Sequence, residues 1–371
     1  MNIATLITFS IVSFVIFAFV FNLFFPRFIW APNQNDSVGR AKICCVTGKS
    51  GGHIIPCLTI AQKEQSDILF FSANTPLDKT ILSQNKAVTH HVMLSLSTRA
   101  QSFFGTMWHA MCSFFVSFFY LCKHKPEKII TTGGIVAIPT CIAGFILRIP
   151  IVLYSLDAVP GKAIQFLTPL ATSVVTCFAS SQKYFPADKC SVAPYPVKYN
   201  NADNIIDKVT AQTALGLSPN KKTVLVLGGS QGSLFLNQCI KQWIDDSSCT
   251  SDIVQIIHQT GSLDATDWNS LYTSKNITAH VFSYYPDLAL MYCAADLIIC
   301  RAGAGTLFEI KFFNKQCVII PLETNTTTHQ VDNARAMAHE YPELFYTVAQ
   351  SDVEQSYEAL FHKITELLKN A

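Results

Sequence analysis

The chain is 371 residues long, enough for two domains that each bury a core of their own. Its formal net charge is +2 and only 14% of its residues are charged, so no basic surface for nucleic acid is indicated. Half of the residues are hydrophobic and the mean hydropathy is +0.29, high for a soluble protein, with part of the excess in one N-terminal segment.

From Ile3 to Phe25 there is no charged residue, and the stretch is long enough to span a bilayer as a helix. A cleavable signal peptide fits less well, because no Lys or Arg precedes the apolar run and the run is too long. Arg27, Arg40 and Lys42 follow it, so the positive-inside rule puts the rest of the chain in the cytoplasm. Residues 1–30 are therefore expected to be a single membrane anchor with its linker.

Ala41 to Val46 predicts a strand and Ile54 to Lys63 a helix, with Thr47-Gly48-Lys49-Ser50-Gly51-Gly52-His53 between them. Gly-Lys-Ser suggests a phosphate-binding P-loop, but that motif needs a glycine where Ile43 stands. What remains is a glycine-rich turn at a helix start with an imidazole beside it. Ile68 to Phe71 reads as a second strand. Phe103 to Cys122 has helical length and is rich in aromatics; it suits either a buried core helix or one resting on a membrane through Trp108, Phe114 and Phe118. Gly105 and His109 argue against a second span.

Ile129 to Gly134 is strand then turn, Ile135 to Leu147 a helix, and Ile149 to Tyr154 a strand running into Ser155-Leu156-Asp157. Short strands are expected at 174–178 and 191–193. Strands alternating with helices argue for a parallel doubly wound sheet with ligands at the carboxyl ends of its strands. Pro194 to Asp203 is rich in Pro and Asn and marks a boundary, giving domains at 41–198 and 199–350.

The alternation then restarts. Thr223 to Leu227 leads into Gly228-Gly229-Ser230-Gln231-Gly232-Ser233, Ile253 to Ile257 into His258-Gln259-Thr260-Gly261, and Ala279 to Phe282 into Ser283-Tyr284-Tyr285. Ala295 to Cys300 is an apolar strand, followed by Arg301-Ala302-Gly303-Ala304-Gly305-Thr306 and a helix. A buried strand, a small-residue turn and a helix start make an anion site. Glu309, about one turn in, is placed to accept from a pair of vicinal hydroxyls, and the combination reads as a place for a nucleotide sugar. Cys317 to Pro321 is another strand, a helix follows Gln330, and residues 351–371 close the chain as a last helix. The fold class is α/β, two Rossmann-like doubly wound domains facing a cleft, preceded by the transmembrane helix.

The thirteen cysteines lie mostly in apolar runs and no CxxC pair occurs, so neither a disulfide framework nor structural zinc is expected. No Asp-x-Asp occurs either, so no metal is expected to hold a diphosphate.

TVLVLGGSQGSLFLNQ (223–238), HQTG (258–261), ADLIICRAGAGTLFE (295–309) and Gln330 with Asn333-Ala334 stand in an order that resembles one family. It is the bacterial transferases that add N-acetylglucosamine from UDP-N-acetylglucosamine to lipid I, an undecaprenyl-diphospho-N-acetylmuramyl-pentapeptide, giving lipid II for peptidoglycan. The resemblance runs from Ala41 to the C-terminus. It implies the B-type glycosyltransferase fold of family 28, a metal-independent inverting transfer, no cofactor, and a polyprenyl-diphosphate-linked acceptor at the cytoplasmic membrane face, with membrane lipid as a further partner.

By the same resemblance Ser230 touches the diphosphate, and Tyr285 stands where the family has an aliphatic contact to uracil. Ala304, Gly305 and Thr306 form the donor loop, Glu309 binds the ribose hydroxyls, and His329 and Gln330 match paired glutamines that read the sugar. Ser50, Gly51, Gly52 and His53 face the acceptor, and Lys198 takes the place of an arginine. His53 is the candidate base, or else a group that orients substrate or caps its helix; Asp157 is the second candidate, with an Asx-turn role as its alternative. Lys49 replaces a family glycine, Ile135 a tyrosine, and Ser155-Leu156-Asp157 the family's Glu-Gln-Asn. Those departures keep two other readings open: the same donor with another lipid acceptor, or a non-catalytic membrane-tethered member of a wall-synthesis complex.

Overall fold

In the computed structural model the described residues are 42–48, 51–64, 66–73, 75–83, 85, 88–94, 103–200, 206–229, 231–246, 253–324 and 328–370. The expected N-terminal span, Lys49, Ser50 and Ser230 lie outside them. The chain divides into two compact units between Pro196 and Val197, within the Pro- and Asn-rich stretch.

Unit 1 carries a sheet of seven strands: β1 (Ile43–Thr47), β2 (Ile68–Ala73), β3 (Val88–Leu94), β4 (Lys128–Gly133), β5 (Ile151–Ser155), β6 (Ser173–Thr176) and β7 (Cys190–Val192), in the order β3-β2-β1-β4-β5-β6-β7. Every pairing is parallel. β1 and β2 are buried at every position, because helices cover both faces of a parallel sheet and its inner strands become continuous apolar runs.

Unit 2 repeats the plan with six parallel strands: β8 (Lys222–Leu227), β9 (Val254–Gln259), β10 (Ala279–Phe282), β11 (Leu297–Cys300), β12 (Gln316–Ile319) and β13 (Phe345–Thr347), ordered β10-β9-β8-β11-β12-β13. In both sheets the winding reverses once, between β1 and β4 in unit 1 and between β8 and β11 in unit 2. Loops leaving the carboxyl ends of strands at such a reversal splay apart and leave a crevice. In this chain those are the loops after Thr47, Gly133, Leu227 and Cys300.

Several elements differ from expectation. The helix after β1 begins at Gly51, so His53 lies in its first turn rather than in a preceding loop. β3 and β13 were not foreseen; β3 (VTHHVML) is of mixed polarity with no alternation in its sequence and lies at a sheet edge, and β13 has only three residues. The expected single C-terminal helix is two, Gln350–Gln355 and Glu358–Asn370, because Ser356 turns extended and its hydroxyl accepts from the N–H of Glu358 at 3.2 Å. Leu360, Ile364 and Leu367 of the second helix then join the unit 2 core.

The Phe103–His124 helix runs unbroken through Gly105 and His109. It is not a buried core helix. Trp108, Met111, Phe115 and Phe119 are exposed, whereas Phe114 and Phe118 pack on the core with buried Ser113, Ser117 and Leu121. Ser117 bonds the hydroxyl of Thr140 on the next helix at 2.8 Å, which gives the inward serine its partner.

Candidate functional site

In unit 1 the loops after β1 and β4 are stitched together. Thr47 and Thr132 share a hydroxyl–hydroxyl bond at 2.9 Å, and Thr132 Oγ1 also reaches the carbonyl of His53 at 3.1 Å. Gly134 has φ +91°, and a Cβ there would meet the backbone N of Gly48 at 3.5 Å, so the left-handed turn rather than lack of space calls for glycine. His53 is thus tied through its backbone to the reversal point, with Gly51 buried and Gly52 exposed beside it. Asp157 follows β5, next strand along; the carbonyls of Asp157 and Ala158 accept from Ser181 Oγ at 3.1 and 2.7 Å, which fixes that turn.

In unit 2 the β8 and β9 loops touch backbone to backbone. A Cβ on Gly232 would stand 2.5 Å from Gly261 Cα and 2.6 Å from Thr260 O, so no side chain fits. Behind this contact lies a buried polar network that the motifs did not reveal. Asn237 donates to Thr260 O at 2.9 Å and to Asp264 Oδ2 at 2.6 Å, while its Oδ1 meets His258 Nε2 at 3.1 Å. Tyr272 OH bonds His258 Nδ1 at 2.9 Å. Burial drives His258 down to about 3, so the ring is neutral. Partial burial pushes Asp264 up, but hydrogen bonds from Thr266, Asn237 and Trp268 together outweigh it and bring the carboxyl down to about 2.

The turn after β11 is clamped on both sides of one peptide residue. Gln330 Oε1 accepts from Ala302 N at 3.2 Å and Leu322 N at 3.0 Å, and Asn333 donates to Ala302 O at 3.2 Å. Gly303 then caps the Ala304–Phe312 helix in extended conformation with no side chain on the first-turn N–H groups. Those amides, at Ala304, Gly305 and Thr306, carry no side-chain cap among the described residues, an arrangement that suits an anion. With its oxygen committed, Gln330 has only Nε2 to offer a ligand. His329, the first residue of the next helix, has its Nδ1 enclosed with no hydrogen-bond partner among the described residues.

Arg301 was also missed as an individual residue. It is buried, donates from Nε to Ser233 Oγ at 3.1 Å, and from Nη1 to Ile320 O at 3.0 Å and Gln350 Oε1 at 2.8 Å. One guanidinium therefore joins the ends of β8, β11 and β12. No carboxylate forms an ion pair with it among the described residues, although Glu354 and Glu323 act on its charge from further off.

Glu309 is held by Tyr292, whose hydroxyl donates to Oε2 at 2.9 Å. Burial raises the Glu309 carboxyl above its usual range, and Lys198 and the tyrosine bond partly offset this. Lys198 Nζ bonds the carbonyl of Pro286 and lies 4.9 Å from the centre of the Tyr199 ring. That bond tethers the exposed Ser283–Pro286 loop carrying Tyr285. Lys198 therefore stands by the loop after β10 and within electrostatic reach of Glu309.

Unit 2 thus gathers Lys198, Tyr285, Ala304, Gly305, Thr306, Glu309, His329 and Gln330, and unit 1 holds Gly51, Gly52, His53 and Asp157 at strand carboxyl ends. Two doubly wound units with glycine-bearing loops at each reversal and a bare helix start define the two-domain α/β class built to hold nucleotides and their sugars. Residues 43–176 match the glycosyltransferase family 28 N-terminal domain and residues 223–371 the C-terminal domain.

Among curated relatives, the UDP-N-acetylglucosamine–N-acetylmuramyl-(pentapeptide) pyrophosphoryl-undecaprenol N-acetylglucosamine transferase of Protochlamydia amoebophila is 30% identical over 77% of this chain and 77% of its own. The Myxococcus xanthus transferase of the same name is 26% identical over 80% of this chain and 77% of its own. The chain belongs to glycosyltransferase family 28. Crystalline MurG of Acinetobacter baumannii superposes with a TM-score of 0.67 at 23% identity, covering 88% of this chain and 90% of that one. A UDP-GlcNAc 2-epimerase from Neisseria meningitidis shares the fold alone, with a TM-score of 0.54 at 13% identity over 81% of this chain and 92% of that one.

Proposed function

We infer that this protein transfers N-acetylglucosamine from UDP-N-acetylglucosamine to lipid I, giving lipid II, with inversion at the anomeric carbon. The observation that carries the reading is the match to relatives of that name through both domains, with an anion-ready helix start at the unit 2 reversal.

The donor half is assigned to unit 2. The amides of Ala304, Gly305 and Thr306 receive the diphosphate, with Arg301 supplying positive potential from behind. Glu309 accepts from the ribose hydroxyls, Tyr285 lies along the base, and Gln330 Nε2 with His329 reads the sugar. Ser230 joins the diphosphate set by resemblance. The acceptor half is assigned to unit 1, with Gly51 and Gly52 giving close backbone approach. As the acceptor oxygen bonds the anomeric carbon, the bond to UDP breaks and the electron pair leaves with the diphosphate. The acceptor's proton passes to a base, His53 or Asp157; His53 is preferred because it lies beside the glycine-rich turn at the reversal and an imidazole is the side chain suited to proton transfer near neutral pH.

The reaction is placed at the cytoplasmic face of the membrane, with residues 1–30 as a single anchor. The outward aromatic face of the Phe103–His124 helix, followed by Lys123 and Lys125, supports a second contact with lipid. Among the described residues this is the one helix long and apolar enough to cross a membrane. Its inward half packs against unit 1, which favours a helix lying on the surface.

The test is transfer of radiolabel from UDP-N-acetylglucosamine to lipid I in detergent with EDTA present, for wild type and His53→Ala. Label in the lipid supports donor, acceptor and metal independence together. UDP binding without transfer would overturn the acceptor and turn attention to other lipids or to a non-catalytic role.

A further inference from the structure

Tyr292 lies in the Ala289–Ala294 helix and is fully buried. Its ring stacks on Phe313 at 5.0 Å with an interplanar angle of 18°, and Tyr199 meets it edge-on at 6.1 Å. The hydroxyl of Tyr199 accepts from Leu288 N at 3.1 Å, which pins the start of the same helix. Phe313 follows directly on the helix that carries Glu309. The aromatic cluster therefore fixes two helices against each other and holds the tyrosine hydroxyl in one place, 2.9 Å from Glu309 Oε2. A phenylalanine would fill the same space, so the hydroxyl adds direction rather than packing.

We propose that Tyr292 is a positioning residue for Glu309: by fixing one carboxylate oxygen it presents the other to a vicinal diol, and so sets a preference for ribonucleoside over 2′-deoxyribonucleoside diphosphate donors. This rests on the reading of Glu309 as the ribose carboxylate. A carboxylate free to rotate shares its acceptor capacity among several directions. One anchored through Oε2 keeps Oε1 aimed, and a 2′-deoxy ligand leaves that aim without its second partner. The tyrosine also helps to keep a half-buried carboxyl ionised. The charged and titratable groups that act on Glu309 are Tyr292 and Lys198, which favour the charged form, and Asp287, which opposes it.

The experiment measures Kd for UDP and 2′-deoxy-UDP by calorimetry across pH on the full chain in detergent. The variants are Tyr292→Phe, Glu309→Gln and Tyr199→Phe, which loses the hydroxyl of the same cluster that accepts from Leu288 N. Tyr292→Phe is expected to weaken UDP roughly tenfold, the scale of one hydrogen bond to a charged group, with 2′-deoxy-UDP unchanged. Its UDP binding is also expected to fail at higher pH than in wild type, because losing the donor raises the Glu309 pKa. Tyr199→Phe is expected to leave the ratio of the two affinities alone. Equal weakening of both ligands in Tyr292→Phe would overturn the proposal, as would an unchanged ratio there when Glu309→Gln abolishes the preference. A preference that survives Glu309→Gln would instead remove the ribose reading itself, and this proposal with it.

Discussion

Asn333 donates to the carbonyl of Ala302 at 3.2 Å, from the helix that follows β12 back to the turn that follows β11. It is buried and is placed to act on the loop through the backbone, whereas Gln330 holds the N–H of the same residue and, on the proposed reading, offers its own amide N–H groups to the sugar. The two residues are thereby separable. Asn333→Ala is expected to weaken UDP and UDP-N-acetylglucosamine equally, by about 1–2 kcal/mol for one buried hydrogen bond. Gln330→Ala is expected to weaken the nucleotide sugar more than UDP, because it loses a sugar contact as well. Calorimetry with both ligands decides; an identical ratio in the two variants would leave Gln330 a loop clamp alone.

Arg301 joins the ends of three strands through Ser233, Ile320 and Gln350. Arg301→Met keeps the stem but leaves several buried acceptors unpaired, at about 1–3 kcal/mol each. Urea unfolding of unit 2 is expected to move to lower denaturant, and UDP affinity to fall at least tenfold, about 1.4 kcal/mol. Arg301→Lys restores the charge without the fork, so it is expected to recover part of the UDP affinity and little of the stability. Full recovery of both by lysine would show that charge alone matters.

The inner strands were legible because a parallel strand covered on both faces is apolar throughout, and glycine turns bracket each one. β3 and β13 were not, since an edge strand of mixed polarity and a three-residue strand carry little pattern. The strand, turn and helix start around 301–309 were legible as a contiguous run. Arg301 with Gln350 and Asn237 with Asp264 were not, because they are 49 and 27 residues apart and meet only once the loops at the carboxyl ends of the strands come together. The Phe103–His124 helix misled for another reason. Its inward face carries Ser113 and Ser117 and its outward face Phe115 and Phe119, so hydrophobicity alone pointed the wrong way.

His258 lies in the network that braces the β8 and β9 loops, neutral and bonded to Asn237 and Tyr272. Its folded pKa is about 3, below the usual histidine value. Between that value and about 6.5 the unfolded chain binds a proton that the folded one refuses, so stability falls as pH drops through this window. The full span is on the order of 5 kcal/mol. Asp264 acts in the same direction further down: its depressed pKa contributes stability above the ordinary carboxylate value, lost as pH falls towards about 2. Urea midpoints for unit 2 are expected to drop steadily from neutral pH to about 4 in wild type. In His258→Leu the curve starts lower, because Asn237 and Tyr272 lose a partner, and is flatter. An equally steep curve in the variant would mean that another group carries the acid sensitivity.

Trp108, Phe115 and Phe119 stand at spacings that align them along one exposed stripe of a single helix. If the stripe rests in the lipid interface, each side chain fully withdrawn from water contributes about 1.5–3 kcal/mol. Full-length protein reconstituted in vesicles with brominated lipid is then expected to show quenching of tryptophan fluorescence that Trp108→Phe largely removes, beyond any share from Trp30. Phe115→Ser with Phe119→Ser is expected to reduce the Trp108 component and to raise KM for lipid I in vesicles, leaving Kd for UDP as in wild type. The split between acceptor and donor distinguishes a membrane contact from a folding defect, because a damaged unit 1 would lose turnover in detergent as well. Quenching that is identical in wild type and Trp108→Phe would place the stripe in water and leave the N-terminal segment as the membrane contact.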